Sequence, residues 1–267
     1  MKSLKRFPFS FLLFIIVILF GTFLWNGFFT KEVFMIQSRV DSVSKQTFDE
    51  NNNDFKTIGW IRVQGTSLDM PVVHSNEQNY NYPVGTKSYT WTSVSDGKFH
   101  NAITIMGHNI YNLSSNPKLT SDKFFRFEEL MSFIYYDFAK ENEYFQLTIG
   151  GKEYVYKTFA VTLLTATDIL YLPNGVDYDK DDMKYFVSYL KTHSFYRYQV
   201  SVNENDSVVS LATCTRFYGV DHPVQLYVTG RLLRKGERMR KYNVYKNKSY
   251  EKIENILRGD LDEDENV

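Results

Sequence analysis

The chain has 267 residues, enough for one large or two small domains, and its 43% hydrophobic content can bury a real core. Lys+Arg and Asp+Glu balance at 31 each, so the chain lacks the basic field that drives nucleic-acid binding, and nucleic acid is excluded as an expected partner. Twenty-two Phe and twenty Tyr favour strands and grooves over helical bundles.

Residues 1–6, "MKSLKR", form a basic flank, and no charge follows until Lys31. At about 1.5 Å of rise per residue, the apolar stretch spans a hydrocarbon core of about 30 Å. A cleaved signal peptide and an uncleaved anchor both fit this arrangement. The apolar part exceeds the usual signal-peptide length and no small-x-small site follows it, which favours a transmembrane signal anchor over residues 7–29. The positive-inside bias then keeps the flank in the cytoplasm, sets Trp25 at the outer interface and exports everything after Lys31.

Residues 30–56 read as a helical linker, with Val33, Ile36, Val40 and Val43 at helical spacing before "DENNNDF" ends the pattern. From Thr57 short β runs take over: "IGWIRVQG", "DMPVVH", "AITIMG", "YFQLTIGGKEYVYKTFAVTLL", "SVVSLATC" and "VQLYVTGRLL". Gly150-Gly151 reads as a hairpin turn. Two helices interrupt the series. One lies in "KFFRFEELMSFIYYDFAKE", with Phe124, Phe127, Leu130 and Ile134 on one face. The other starts after Asp179 as N-cap, with Met183, Phe186, Val187 and Leu190 inward. The class is mainly β with helical insertions, and many short strands predict a closed or nearly closed barrel. Residues 235–267 read as a charged, solvated C-terminal tail with a short helix over Tyr250 to Leu257. There is no internal repeat, no P-loop, no dinucleotide fingerprint and no Cys/His spacing for a metal, so neither cofactor nor metal is expected.

Cys214 is the one cysteine of the chain, and in an exported domain it cannot form a disulfide within its own chain. An inert core residue, an intermolecular bridge and a reactive thiol all remain open. A thiol attacks as thiolate and needs a cationic or basic neighbour. Of the five histidines, His74, His100, His108, His193 and His222, His108 has the matching context: "AITIMGHN" and "SVVSLATC" are both apolar strands that end in a polar group at a strand mouth. His222, before Pro223, ranks second.

The pair "MGHN" and "LATCT", about a hundred residues apart, resembles the sortase family of Gram-positive surface transpeptidases. "IGWIRVQGTSLDMPVVHSNEQNYNY" and the helical insertion from about Tyr178 to His193 are similar to class B sortases, and the resemblance covers residues 57–234. It implies a closed barrel of about eight strands holding a Cys/His/Arg site. In that site Cys214 attacks the carbonyl of a C-terminal LPxTG-like sorting signal to form an acyl-thioester, and His108 is the general acid and base. An amine from a peptidoglycan precursor or a pilin lysine then resolves the thioester. The pattern departs from the family at one place: the family's arginine opens the last strand, where this chain has Gln225. Arg216, two residues past the thiol, is the candidate replacement, with Gln225 and Thr213 as further oxyanion or substrate contacts. Arg231 shares strand parity with Gln225 but lies about 20 Å along the strand. Two alternatives stand beside the transpeptidase: a cysteine peptidase using water, and an extracellular module that holds a sorting signal or assists pilus assembly without cutting.

Overall fold

The longest hairpin turns on Gly150 and Gly151, whose φ values of 57° and 71° lie in the left-handed region that glycine enters without a Cβ clash. It joins β5 (Tyr144–Ile149) to β6 (Lys152–Leu164). The computed structural model describes residues 56–66, 68–74, 90–92, 98–107, 109, 126–173, 177–218 and 222–258. The expected anchor over 7–29, the linker up to Lys56 and the candidate base His108 lie outside the described residues. Among the described residues no helix is long and apolar enough to cross a membrane.

Every β run read from the sequence forms a strand. β1 (Lys56–Val63), β2 (Asp69–His74), β3 (Thr90–Thr92) and β4 (Ala102–Gly107) precede the hairpin. β7 (Tyr196–Tyr198), β8 (Val208–Thr215), β9 (Val224–Leu232) and β10 (Val244–Lys246) follow it. Eight of them close into a barrel in the order β1-β2-β3-β4-β8-β9-β6-β5. The core is filled by side chains such as Ile61, Val63, Ile105, Leu147, Leu211 and Val228, all buried. Each fully buried side chain of this size is worth about 1.5–3 kcal/mol.

The pairing that positions the site is the parallel one between β4 and β8, in register from Ala102 beside Val208 to Gly107 beside Thr213. β9 then runs antiparallel to β8, with Cys214 opposite Gln225 and Val208 opposite Arg231.

The first predicted helix is instead a 3-10 helix, Arg126–Ile134, followed by α1 (Tyr136–Glu141). Phe127, Leu130 and Phe133 are all buried, and their spacing of three fits a turn of three residues. A short helix not anticipated from the sequence, α2 (Ala166–Leu170), follows β6 behind a capping box of Thr165 and Asp168. α3 (Lys180–His193) begins where expected: the Asp179 carboxylate accepts from the backbone N–H groups of Asp181 and Asp182, both at 2.9 Å. It packs against β6 with Met183, Phe186, Val187 and Leu190 buried.

The reading of residues 235–267 as a solvated tail is corrected as far as Arg258. β10 pairs antiparallel with β7, and α4 (Ser249–Arg258) buries Tyr250, Ile253 and Ile256. Few apolar residues are needed, because they fall on one face spaced three apart and meet a tyrosine-rich surface that includes Tyr136 and Tyr196.

Candidate active site

β8 is buried from Val208 to Thr213, and Cys214 is its first residue to reach solvent. From there the chain alternates with the period of a strand: Thr213 buried, Cys214 exposed, Thr215 buried, Arg216 exposed, Phe217 buried. Cys214 and Arg216 therefore share one side of the rim. Desolvation by its surroundings pushes the Cys214 thiol above its ordinary pKa, with no lowering charge from the described residues. Little thiolate exists at neutral pH in such a setting, so nucleophilic chemistry at Cys214 would need a base or cation brought to it.

The β4–β8 register brings two strand ends together beside the thiol. Gly107 lies beside Thr213, and the residue after each is a chemically active one, His108 in one strand's continuation and Cys214 in the other. Thr213 is fully buried, and its hydroxyl donates to the Gly107 carbonyl at 2.7 Å. Read from sequence as an oxyanion or substrate contact, the Thr213 side chain is instead placed as a bolt between the two strand ends. Gly107 admits no side chain, since a Cβ there would come within 2.2 Å of the Phe127 ring. The 3-10 helix thus braces the same strand end from its other side.

Gln225 faces Cys214 across the β8–β9 ladder, a direct pairing that sets Cβ atoms about 4.5–5.5 Å apart. It is half-buried, and its amide oxygen accepts from the Tyr227 hydroxyl at 3.3 Å. That bond leaves the amide NH2 as the group able to donate toward the rim. Arg216 is exposed and has no hydrogen bond or ion pair to any other described residue. Arg231 is 2% exposed, six residues along β9 from Gln225, and its guanidinium is held by Glu237. It serves the opposite end of the barrel.

No protein-family model matches the chain. A curated relative, sortase B of Listeria monocytogenes serovar 1/2a, is 25% identical over 166 residues, 59% of this chain and 62% of the relative; the chain thus spans about three fifths of the relative's length. The X-ray structure of Clostridium perfringens sortase B is similar with a TM-score of 0.55 at 21% identity, covering 69% of this chain and 97% of that one. The Staphylococcus aureus sortase B-substrate complex has a TM-score of 0.55 at 16% identity, covering 76% and 94%. The barrel has the sortase B fold.

Within this sortase B fold, two of the remaining histidines are committed elsewhere. His100 precedes β4, at the end away from the thiol, with its Nδ1 at 2.9 Å from Asp177. His193 ends α3, stacked on Tyr189 with its Nδ1 at 2.8 Å from the Tyr189 carbonyl oxygen. His222 lies half-buried in the β8–β9 connection, without a hydrogen bond or ion pair to other described residues. The Thr213 bolt and the Gln225–Tyr227 contact escaped the sequence reading. The first carries a sequence signal: a hydroxyl next to Cys214 on an inward position of a strand needs a buried acceptor, and a neighbouring strand end supplies one.

Proposed function

We propose that the chain is a cysteine transpeptidase of the sortase B kind. The observation that carries the reading is the β4–β8 register, which seats the residues preceding His108 and Cys214 side by side at one rim. In the proposed reaction the Cys214 thiolate adds to the acyl carbonyl of a peptide sorting signal. The C–N bond then breaks, the leaving amine takes a proton from His108, and an acyl-thioester remains. An incoming amine attacks the thioester and gives its proton back to His108, and Cys214 leaves as thiolate. Arg216 donates to the developing oxyanion, assisted by the Gln225 amide.

The substrate under this reading is a surface protein with an LPxTG-like C-terminal signal, and the acceptor is a peptidoglycan precursor or a pilin lysine. Residues 7–29 anchor the chain in the bilayer in a single pass, with the catalytic domain outside. The curated relative and the sortase B folds of the solved structures support the reaction class, and the apolar run between Arg6 and Lys31 supports the anchor.

A second reading, a module that binds a sorting signal without cutting it, is favoured by Gln225 at the arginine position and by the raised thiol pKa. One experiment separates them. The detergent-solubilised full chain is incubated with candidate sorting peptides and amines, and intact protein and products are read by mass spectrometry. An acyl adduct on Cys214 and an amine-linked product are expected, both absent in His108→Ala and retained in His222→Ala. Peptide binding without any adduct overturns the transpeptidase in favour of the binding module.

A further inference from the structure

The connection leaving β8 is held from an unexpected quarter. Phe217 enters the core, and its ring meets the Tyr218 ring edge-on at 5.5 Å. Over the Tyr218 ring sits the Lys252 ammonium, 5.1 Å from the centroid, and Lys252 belongs to α4 near the far end of the chain. That helix is itself firmly seated. The Tyr250 hydroxyl accepts from the Tyr136 backbone at 3.3 Å, the Ser249 hydroxyl donates to the Ser194 carbonyl at 2.9 Å, and Ile253 is fully buried. A cation near the chain's end thus rests on the second residue after Arg216. Arg216 has no ion pair of its own within the described residues, so its backbone is the handle by which the protein can hold it.

We propose that α4 is a positioning element for the site: Lys252, seated on Tyr218, fixes the Phe217-Tyr218 step so that Arg216 stays on the Cys214 side of the rim. The inference rests on the reading of Cys214 as nucleophile and Arg216 as oxyanion donor. Lys252 touches no reacting atom; its effect passes through Tyr218 and the backbone. Pre-organisation of this kind saves the cost of ordering the loop at each turnover, and its loss lowers kcat rather than substrate affinity.

The test is a set of kinetic cycles on the detergent-solubilised full chain, with a sorting peptide and an amine, alongside thermal melts. Lys252→Met is expected to lower kcat about two- to fivefold with KM unchanged, the scale of an exposed cation–π contact. Tyr218→Leu should give a loss at least as large, with no further loss when Lys252→Met is added, while Tyr218→Phe keeps the ring and the activity. The deciding arm is the Arg216→Ala background, where Lys252→Met should change nothing, a coupling that general loosening of the fold does not produce. Unchanged kcat in Lys252→Met, or the same fold-loss with and without Arg216, overturns the role of α4 alone. Normal turnover in Arg216→Ala overturns both this inference and the oxyanion reading beneath it.

Discussion

Strands β8 and β9 and their continuations carry two arginines toward opposite ends of one ladder, and the two are treated in opposite ways. Arg231 is buried and closed in: its Nη2 donates to Glu237 at 2.9 Å, and Lys157 meets the same carboxylate at 3.0 Å. Nearby, Arg234 is paired with Asp206 at 2.7 and 2.8 Å. Arg216, beside Cys214, has water and no partner among the described residues. A buried guanidinium must be compensated where it sits, so the Arg231 charge is tied to Glu237 and its unpartnered N–H, at Nε, is buried away from any substrate. An exposed one keeps its donors free, so of the two arginines only Arg216 has hydrogen bonds to offer an incoming group.

The largest expected effect is at the rim. Cys214→Ala should abolish both cleavage and transfer while the melting temperature stays close to that of the parent, because the lost sulfur is exposed and leaves little cavity. Residual transfer in that variant would end the covalent mechanism.

At the other end the effect should fall on stability. Arg231→Ala removes a buried guanidinium and leaves the half-buried Glu237 carboxylate with Lys157 alone as a charged partner, and should cost about 1–3 kcal/mol in denaturant unfolding. An unfolding free energy unchanged by this substitution would break the contrast between the two arginines.

Arg216→Ala should reverse that pattern, lowering turnover about a hundredfold, in the range for one oxyanion donor, at little cost in stability. Gln225→Ala should cost less, since an amide lacks the charge and fork of a guanidinium. If Gln225→Ala is dead and Arg216→Ala is active, the amide opposite the thiol carries the role.

The smallest effects come from pH. The hydrogen bond from Arg231 holds Glu237 well below the usual carboxylate range. A depressed acid contributes its stability above its unfolded pKa, near 4.3, and loses it as pH falls through the folded value. Melting temperature should therefore drop below about pH 4, and the drop should be shallower in Glu237→Gln. At the rim the sign is opposite: the Cys214 thiol is raised, so alkylation of the resting protein should accelerate only as pH climbs past the ordinary thiol value of about 8.5.

Much of the barrel was legible because its information is local. Strand alternation, the Gly150-Gly151 turn and the Asp179 cap each depend on residues a few positions apart. Cys214 and the strand leading to His108 were legible for the same reason, as chemically active groups closing apolar runs. What stayed hidden depends on partners far along the chain. The Thr213 hydroxyl needs to know which carbonyl lies beside it, and the burial of α4 needs the three-residue strand Tyr196–Tyr198 as neighbour to β10. Four buried side chains, Val244, Tyr250, Ile253 and Ile256, among many charges give a weak signal, which is why residues 235–258 read as solvated.

The bond from Thr213 to Gly107 joins residues 106 positions apart through a parallel pairing. Such contacts form slowly, because the chain must close a long loop before the pairing returns any energy. A chain emerging N-terminus first carries the β4 end of the site long before β8 exists, and no thiol is present to react until the last quarter appears. The thiol and the β4 end of the rim thus come together only as the barrel closes, so folding itself completes the candidate site.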